Sequence, residues 1–282
     1  MADNNYLHTA YAKSADGTDG FTTVYPNLNL GNDTKTFTGA IGSWGSGSSS
    51  ILTEPDTQKT QDGDFNYLTS KSTRNAIDWF RFFLGPDPAR PNITKVLVKP
   101  NTKYTFSVLL KGTGQHTIYA YQNWTAPNTP WSFEINLTND WKLYTFIVTS
   151  SNVIPDRNVQ FFIRSNNGTE ISLKKPKVEE GSVATPYMPS SSEVTTDDWP
   201  KYVGTYVDTN PVSSTDPSKY GWDEMNYRIY LDGIAVAGSK LLSAKVENLK
   251  PDTSYTIQVK QVSGEEESDF SDSVTFKTNV QK

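Results

Sequence analysis

Cysteine is absent from the 282 residues, which excludes disulfides, thiol nucleophiles, Cys-ligated zinc and iron–sulfur clusters. Only two histidines occur, His8 and His116, with nothing of H-E-x-x-H spacing, so a His-rich metal site is excluded too. Charge is sparse: Lys+Arg 26 against Asp+Glu 31 leaves a net −5. A mildly acidic chain of pI ≈ 5.2 matches a nucleic-acid backbone poorly. Apolar runs stop at a handful of residues, far short of the ~20 that cross a bilayer. Met1 to Ala10 is polar and lacks the charged-then-apolar pattern of a signal peptide. Neither nucleic acid nor membrane is expected as a partner.

What the chain does have is aromatic and hydroxylated. Trp, Tyr and Phe number 7, 15 and 13, and Thr, Ser and Asn number 33, 28 and 21, a composition of strands and turns rather than helix bundles. Residues 1–60 are polar, and 42–50 read as a flexible loop holding Trp44. From about 64 a period of two takes over. Asp78 to Leu84 reads as a strand, and Tyr104, Phe106, Val108 and Leu110 share one face of the next. His116 to Trp124, Trp141 to Thr149, then Val159, Phe161 and Ile163 continue the series, with Ile171-Ser172-Leu173 closing it. Short strands between Gly, Asn and Pro turns specify an all-β antiparallel sandwich or jelly roll.

Domain 1 is therefore set at 1–182. Residues 183–198, rich in Ser, Thr and Pro, read as a linker. Residues 199–282 form a second β unit, with Asp232-Gly233 as a hairpin turn. Leu249-Lys250-Pro251-Asp252-Thr253-Ser254-Tyr255 has the spacing of a tyrosine corner, and resembles a fibronectin type III module with Trp222 at the core Trp position.

Catalysis finds little support. A glycosidase needs two carboxylates across a cleft, about 5–5.5 Å or 6.5–9.5 Å apart. Asp62, Asp64, Asp78, Glu134 and Asp140 are each explained by turns or strand ends. There is no G-x-S-x-G, and no nucleotide-binding glycine motif in strand–turn–helix context. No cofactor is required; a structural calcium is admitted on Asp62/Asp64 or Asn32/Asp33, neither in an EF-hand pattern. The five N-x-[ST] sequons, at Asn32, Asn92, Asn123, Asn136 and Asn167, are best explained by chance in a Thr- and Asn-rich chain.

Glycan binding needs less. A sugar ring has one apolar C–H side and a rim of hydroxyls, so it takes a flat exposed aromatic with amide, carboxylate or guanidinium groups beside it. Tyr119, Tyr121, Asn123 and Trp124, then Trp131, offer that mixture. Alternation around Phe80 and Phe82 turns Trp79 and Arg81 outward, and Trp44 adds a loop indole. The competing reading is that these rings fill the space between two sheets. Trp141, opening a strand after a tight turn, is expected to be structural.

Two stretches carry a resemblance. Residues 4–30, from Asn4-Asn5-Tyr6-Leu7-His8 to Asn29-Leu30, look like the opening of modules in tail and baseplate proteins of phages infecting lactococci and streptococci. Residues 178–208, from Val178-Glu179-Glu180-Gly181-Ser182 to Tyr206-Val207-Asp208, look like the segment that ends them, and here Lys174-Lys175 stands just before it. Between them, 31–177 is similar in pattern to jelly-roll carbohydrate-binding modules, through Tyr104-Thr105-Phe106-Ser107, Lys111-Gly112 and Trp141-Lys142-Leu143-Tyr144. The resemblance implies a virion component, made in the cytoplasm of the infected host. Its first domain would bind cell-wall saccharide without catalysis, and the rest would anchor it to other baseplate proteins. The alternative is a purely structural adaptor that docks another virion protein.

Overall fold

A computed structural model describes residues 5–38, 44–45, 57–71, 77–86, 95–121, 123–157, 159–166, 168–247, 249–263 and 266–279. The fold is all-β. Two strands come first, β1 (Tyr6–Ala12) and β2 (Phe21–Thr22). Next are β3 (Trp44–Gly45), β4 (Thr57–Asp62), β5 (Phe65–Lys71), β6 (Ile77–Phe83) and β7 (Lys103–Thr113). They are followed by β8 (Gln115–Ala120), β9 (Ser132–Asn136), β10 (Lys142–Thr149), β11 (Gln160–Ser165) and β12 (Glu170–Glu180). The C-terminal stretch adds β13 (Tyr202–Asp208), β14 (Gly221–Glu224), β15 (Tyr227–Leu231) and β16 (Ile234–Ser239). The last three are β17 (Ser254–Ser263), β18 (Glu266–Glu267) and β19 (Val274–Lys277).

The chain divides into two compact units, Leu28–Val194 and the joined termini Met1–Asn27 with Thr195–Lys282. This differs from the expected boundaries at both ends. The N-terminal strand does not belong to the first domain: β1 pairs with β13 in unbroken antiparallel register, from Tyr6 opposite Asp208 to Ala12 opposite Tyr202. A strand from the N-terminal stretch thus joins the sheet of the second module. Nor do 183–194 form a linker. Thr185, Met188 and Ser190 are all buried within the larger unit; Thr185 bonds to Lys177 and Glu179 on β12, and Ser190 bridges to Asn29.

In the larger unit two five-stranded sheets face each other, ordered β10-β7-β12-β5-β4 and β3-β6-β11-β8-β9. Alternation builds the core between them. Phe106 of β7 stacks on Phe161 of β11 at 4.7 Å and lies 6.1 Å from Phe82 of β6. Apolar burial of this kind is the main favourable term in the unit's stability.

The terminal unit pairs a β14-β13-β1-β2 sheet with a β16-β15-β17-β18 sheet, β19 adding to β17. Its buried indole is Trp199, stacked with Tyr25 at 5.9 Å, and not Trp222. Trp222 is half-buried and lies on glycine backbone: a Cβ at Gly204 would fall 2.8 Å from the indole, and one at Gly17 2.4 Å.

The tyrosine corner occurs twice. In the terminal unit the Lys250 N–H donates to the Tyr255 hydroxyl at 2.9 Å. In the larger unit Val98-Lys99-Pro100-Asn101-Thr102-Lys103-Tyr104 repeats the device, Lys99 N–H donating to Tyr104 at 2.8 Å. In both, a Thr hydroxyl donates to the Pro carbonyl two residues back at 2.8 Å. Asn101 and Asp252 each take φ of 50°, a left-handed conformation that Asn and Asp tolerate best among non-glycine residues.

Tyr104 is buried, and burial pushes its phenol up to about 12 from 10.0 while the Lys99 amide bond pulls the other way. Tyr104→Phe should cost the larger unit about 1–2 kcal/mol at neutral pH by orphaning that amide, read as a lower urea midpoint. Because the folded value lies above the unfolded one, the phenol's contribution is complete below pH 10 and fades through about 12. The gap between wild type and Tyr104→Phe should therefore narrow above pH 10.

Candidate functional site

The outward face of the β3-β6-β11-β8-β9 sheet carries the candidate site. On β8, His116, Ile118 and Ala120 are buried, which turns Thr117 and Tyr119 out. On β11, Phe161 and Ile163 are buried, which turns Phe162 and Arg164 out. Cross-strand register then sets Tyr119 opposite Phe162 and Thr117 opposite Arg164. The Tyr119 and Phe162 rings stack at 4.9 Å, 21° from parallel. Trp131, immediately before β9, lies 5.5 Å from Tyr119 and is 41% exposed. The Arg164 guanidinium carbon sits 5.1 Å from the Tyr119 ring centre and 5.8 Å from that of Phe162. On the far side, Ser132 pairs with Tyr119 and Glu134 with Thr117. The Gln115 amide donates to the Glu134 carboxylate at 3.2 Å.

The three rings differ in access: Trp131 is open, Tyr119 is half-buried and Phe162 is covered beneath them. An open indole braced by a stacked pair, with a guanidinium on one side and a carboxylate on the other, suits a flat ligand with an apolar side and a hydroxyl rim. His116 does not serve this face. It lies inside, bonded to Ser165 Oγ at 2.8 Å and to the Thr113 carbonyl oxygen at 3.0 Å, and burial holds its pKa below the ordinary value.

Of the residues singled out in the sequence, Tyr119 and Trp131 are brought together. Arg81 is half-buried on β6 between the buried Phe80 and Phe82, with β11 lying between its strand and β8. Asn123 is exposed in the turn after β8. Tyr121 is half-buried and packs on the core rather than on the sheet exterior. Trp124 is a correction: it is fully buried, donates from its indole to the Gln160 carbonyl at 3.3 Å, and packs on Phe161 and Tyr104. The strand ends at Ala120, and a turn closed by the Trp124 N–H on the Tyr121 carbonyl, at 3.1 Å, carries the indole inward.

Trp44 pairs with Phe82, and Trp79 with Ile163, but the side chains of Trp44 and Trp79 lie outside the described residues. The register shifts between Phe161 and Ile163, and Phe80 has φ of 51°, so uniform alternation does not hold along 78–84. Phe162 and Arg164 were missed, although the signal was present: the alternation of Val159, Phe161 and Ile163 already puts them on the other side.

Of the oxygen ligands considered for calcium, Asp62 holds Lys174 at 2.6 Å. Asp33 accepts from the Thr38 amide and hydroxyl at 2.6 and 3.1 Å. Among the described residues no three His, Asp or Glu gather where they could hold a metal ion, and no helix is long and apolar enough to cross a membrane.

Residues 200–258 match the family model described as the minor structural protein 5-like C-terminal domain. Among solved structures, the tripod from the baseplate of bacteriophage Tuc2009 is 43% identical over 100% of this chain and 100% of that one, with a TM-score of 0.71. A structure described as CBM4 is 17% identical over 44% of this chain and 78% of that one, at a TM-score of 0.30. The CBM22-1–GH10 modules of Clostridium thermocellum xylanase 10B are 11% identical over 59% and 30%, at 0.36. At those TM-scores the last two carry no argument. No curated protein matches.

Proposed function

The chain belongs to the family of phage baseplate proteins represented in the Tuc2009 tripod, a virion component, and from that we propose that its larger unit holds host cell-wall saccharide without catalysis. The observation that carries this reading is the exterior ring group of Trp131, Tyr119 and Phe162 with Arg164 over it. A sugar's C–H side would lie on the indole and phenol, with Arg164 donating to hydroxyls and Glu134 accepting from them. Water competes well for hydroxyls, so single-site affinity is weak. Many copies on one particle turn weak sites into firm attachment through effective concentration. The same reading gives the terminal unit the task of docking other baseplate proteins, in keeping with the family match at 200–258.

Fluorescently labelled full-length protein should stain host cells. Trp131→Ala and Tyr119→Ala should each lower binding about tenfold, equivalent to ~1.4 kcal/mol, while circular-dichroism melts stay close to wild type. Cells left unstained by a folded protein that still enters baseplates would favour the structural adaptor instead.

A further inference from the structure

The other exterior of the larger unit is built differently. On β7, Val108 and Leu110 are buried, which turns Leu109 and Lys111 out of the β10-β7-β12-β5-β4 sheet. Trp141, just before β10, is half-buried, and two ammonium groups converge on its ring: Lys174 at 4.5 Å and Lys111 at 4.9 Å. Lys111 also lies 5.4 Å from the Tyr67 ring, and Tyr67 meets Trp141 edge-on at 5.5 Å. Lys174 is tied to Asp62 at 2.6 Å, and burial is too slight to offset the lysine, so that carboxyl is held below its ordinary pKa. Lys111 is half-buried and acts on the same Asp62 carboxylate, as does Lys175. Two like charges drawn to one indole and sharing one carboxylate leave an excess of positive charge that the rings compensate only in part.

An apolar strip adjoins this cluster. Leu143 pairs with Leu109, and Leu109 with Lys174, so the three form one row across β10, β7 and β12. Leu143 is 57% exposed. Beside Lys111 in register is Ser172, whose hydroxyl is 2.7 Å from that of Thr69.

We infer that Trp141, Lys111 and Lys174 form a second ligand site, on the opposite sheet from Trp131 and Tyr119, for a saccharide carrying an anionic group. The anion bridges the two ammonium groups at the indole, and the sugar's apolar side lies along Leu143 and Leu109. A bare anion would leave that strip uncovered, and a neutral sugar would leave the excess positive charge unmatched. The site stands apart from the proposed function and does not require it.

The test uses the full chain labelled at its indoles, with nuclear magnetic resonance following the Trp141 N–H during titration with glucose 6-phosphate, glucose and inorganic phosphate. Glucose 6-phosphate should shift that resonance, with affinity falling as salt is raised. Lys111→Gln should weaken it about tenfold, while Trp131→Ala leaves it unchanged. An equal response to glucose, an equal response to inorganic phosphate, or an unchanged response in folded Lys111→Gln would each overturn the assignment. Loss of cell staining in Trp131→Ala with the Trp141 response intact separates the two sites.

Discussion

Trp124→Ala should lower the stability of the larger unit by about 3–5 kcal/mol, the usual cost of emptying a buried aromatic position. The indole is fully buried, meets Phe161 edge-on at 5.4 Å and Tyr104 at 6.1 Å, and donates to the Gln160 carbonyl. Its removal opens a void between the turn after β8 and the two sheets, which rigid strands fill poorly. A domain's whole margin is about 5–15 kcal/mol, so the variant would stand close to unfolding. Urea titration followed by far-ultraviolet circular dichroism measures it. Trp124→Phe should recover part of the loss, and the folded fraction of either variant should stain host cells as wild type does if the proposed site is the one at Trp131 and Tyr119. A cost under about 1 kcal/mol would show that the ring is not part of the core.

Lys177→Met should be of similar size for an electrostatic reason. The Lys177 ammonium and Glu179 carboxylate are sealed on the outward side of β12, with side chains 0% and 1% exposed and 3.2 Å apart. Segment 181–190 closes over them. Lys177 donates to Thr185 Oγ1 at 2.5 Å and the Pro186 carbonyl at 2.8 Å, while Glu179 accepts from the Thr185 amide at 2.8 Å and its hydroxyl at 2.6 Å. Burial pushes the Lys177 ammonium down to about 8, against the pull of Glu179. Removing the lysine leaves a buried carboxylate without its counter-charge, which costs about 3–5 kcal/mol. The double variant Lys177→Met/Glu179→Leu should regain much of this, since desolvating an ion pair offsets most of its attraction. Thermal melts of the two variants beside wild type decide it. A single variant as stable as wild type would mean that the pair does not hold the strap.

Much of the fold was legible because the period of two is a local property. Burial of alternate residues along β8 and in the second half of β10 follows directly from the order of side chains, as does the tyrosine corner at Tyr255. Half of the candidate face followed too: Tyr119 lies outward because Ile118 and Ala120 lie inward. The remainder was lost where local rules end. Trp124 was misjudged because a strand's last residue is weakly signalled, and one turn beyond it a side chain can reverse its direction.

The amino-acid order by itself determined that this protein is all-β, without cysteine, and rich in rings on short strands. It also carried the family resemblance that the 43% identity bears out. Tertiary structure alone decided which strands are neighbours. It inserted β11 between β6 and β8, bringing Phe162 and Arg164 against Tyr119, and it paired β1 with β13, Tyr6 opposite Asp208. It also folded 181–190 onto a buried lysine. Closing a long loop costs only slightly more than closing a short one, so strand pairing is chosen by the fit of distant faces. No stretch of residues read on its own contains that fit.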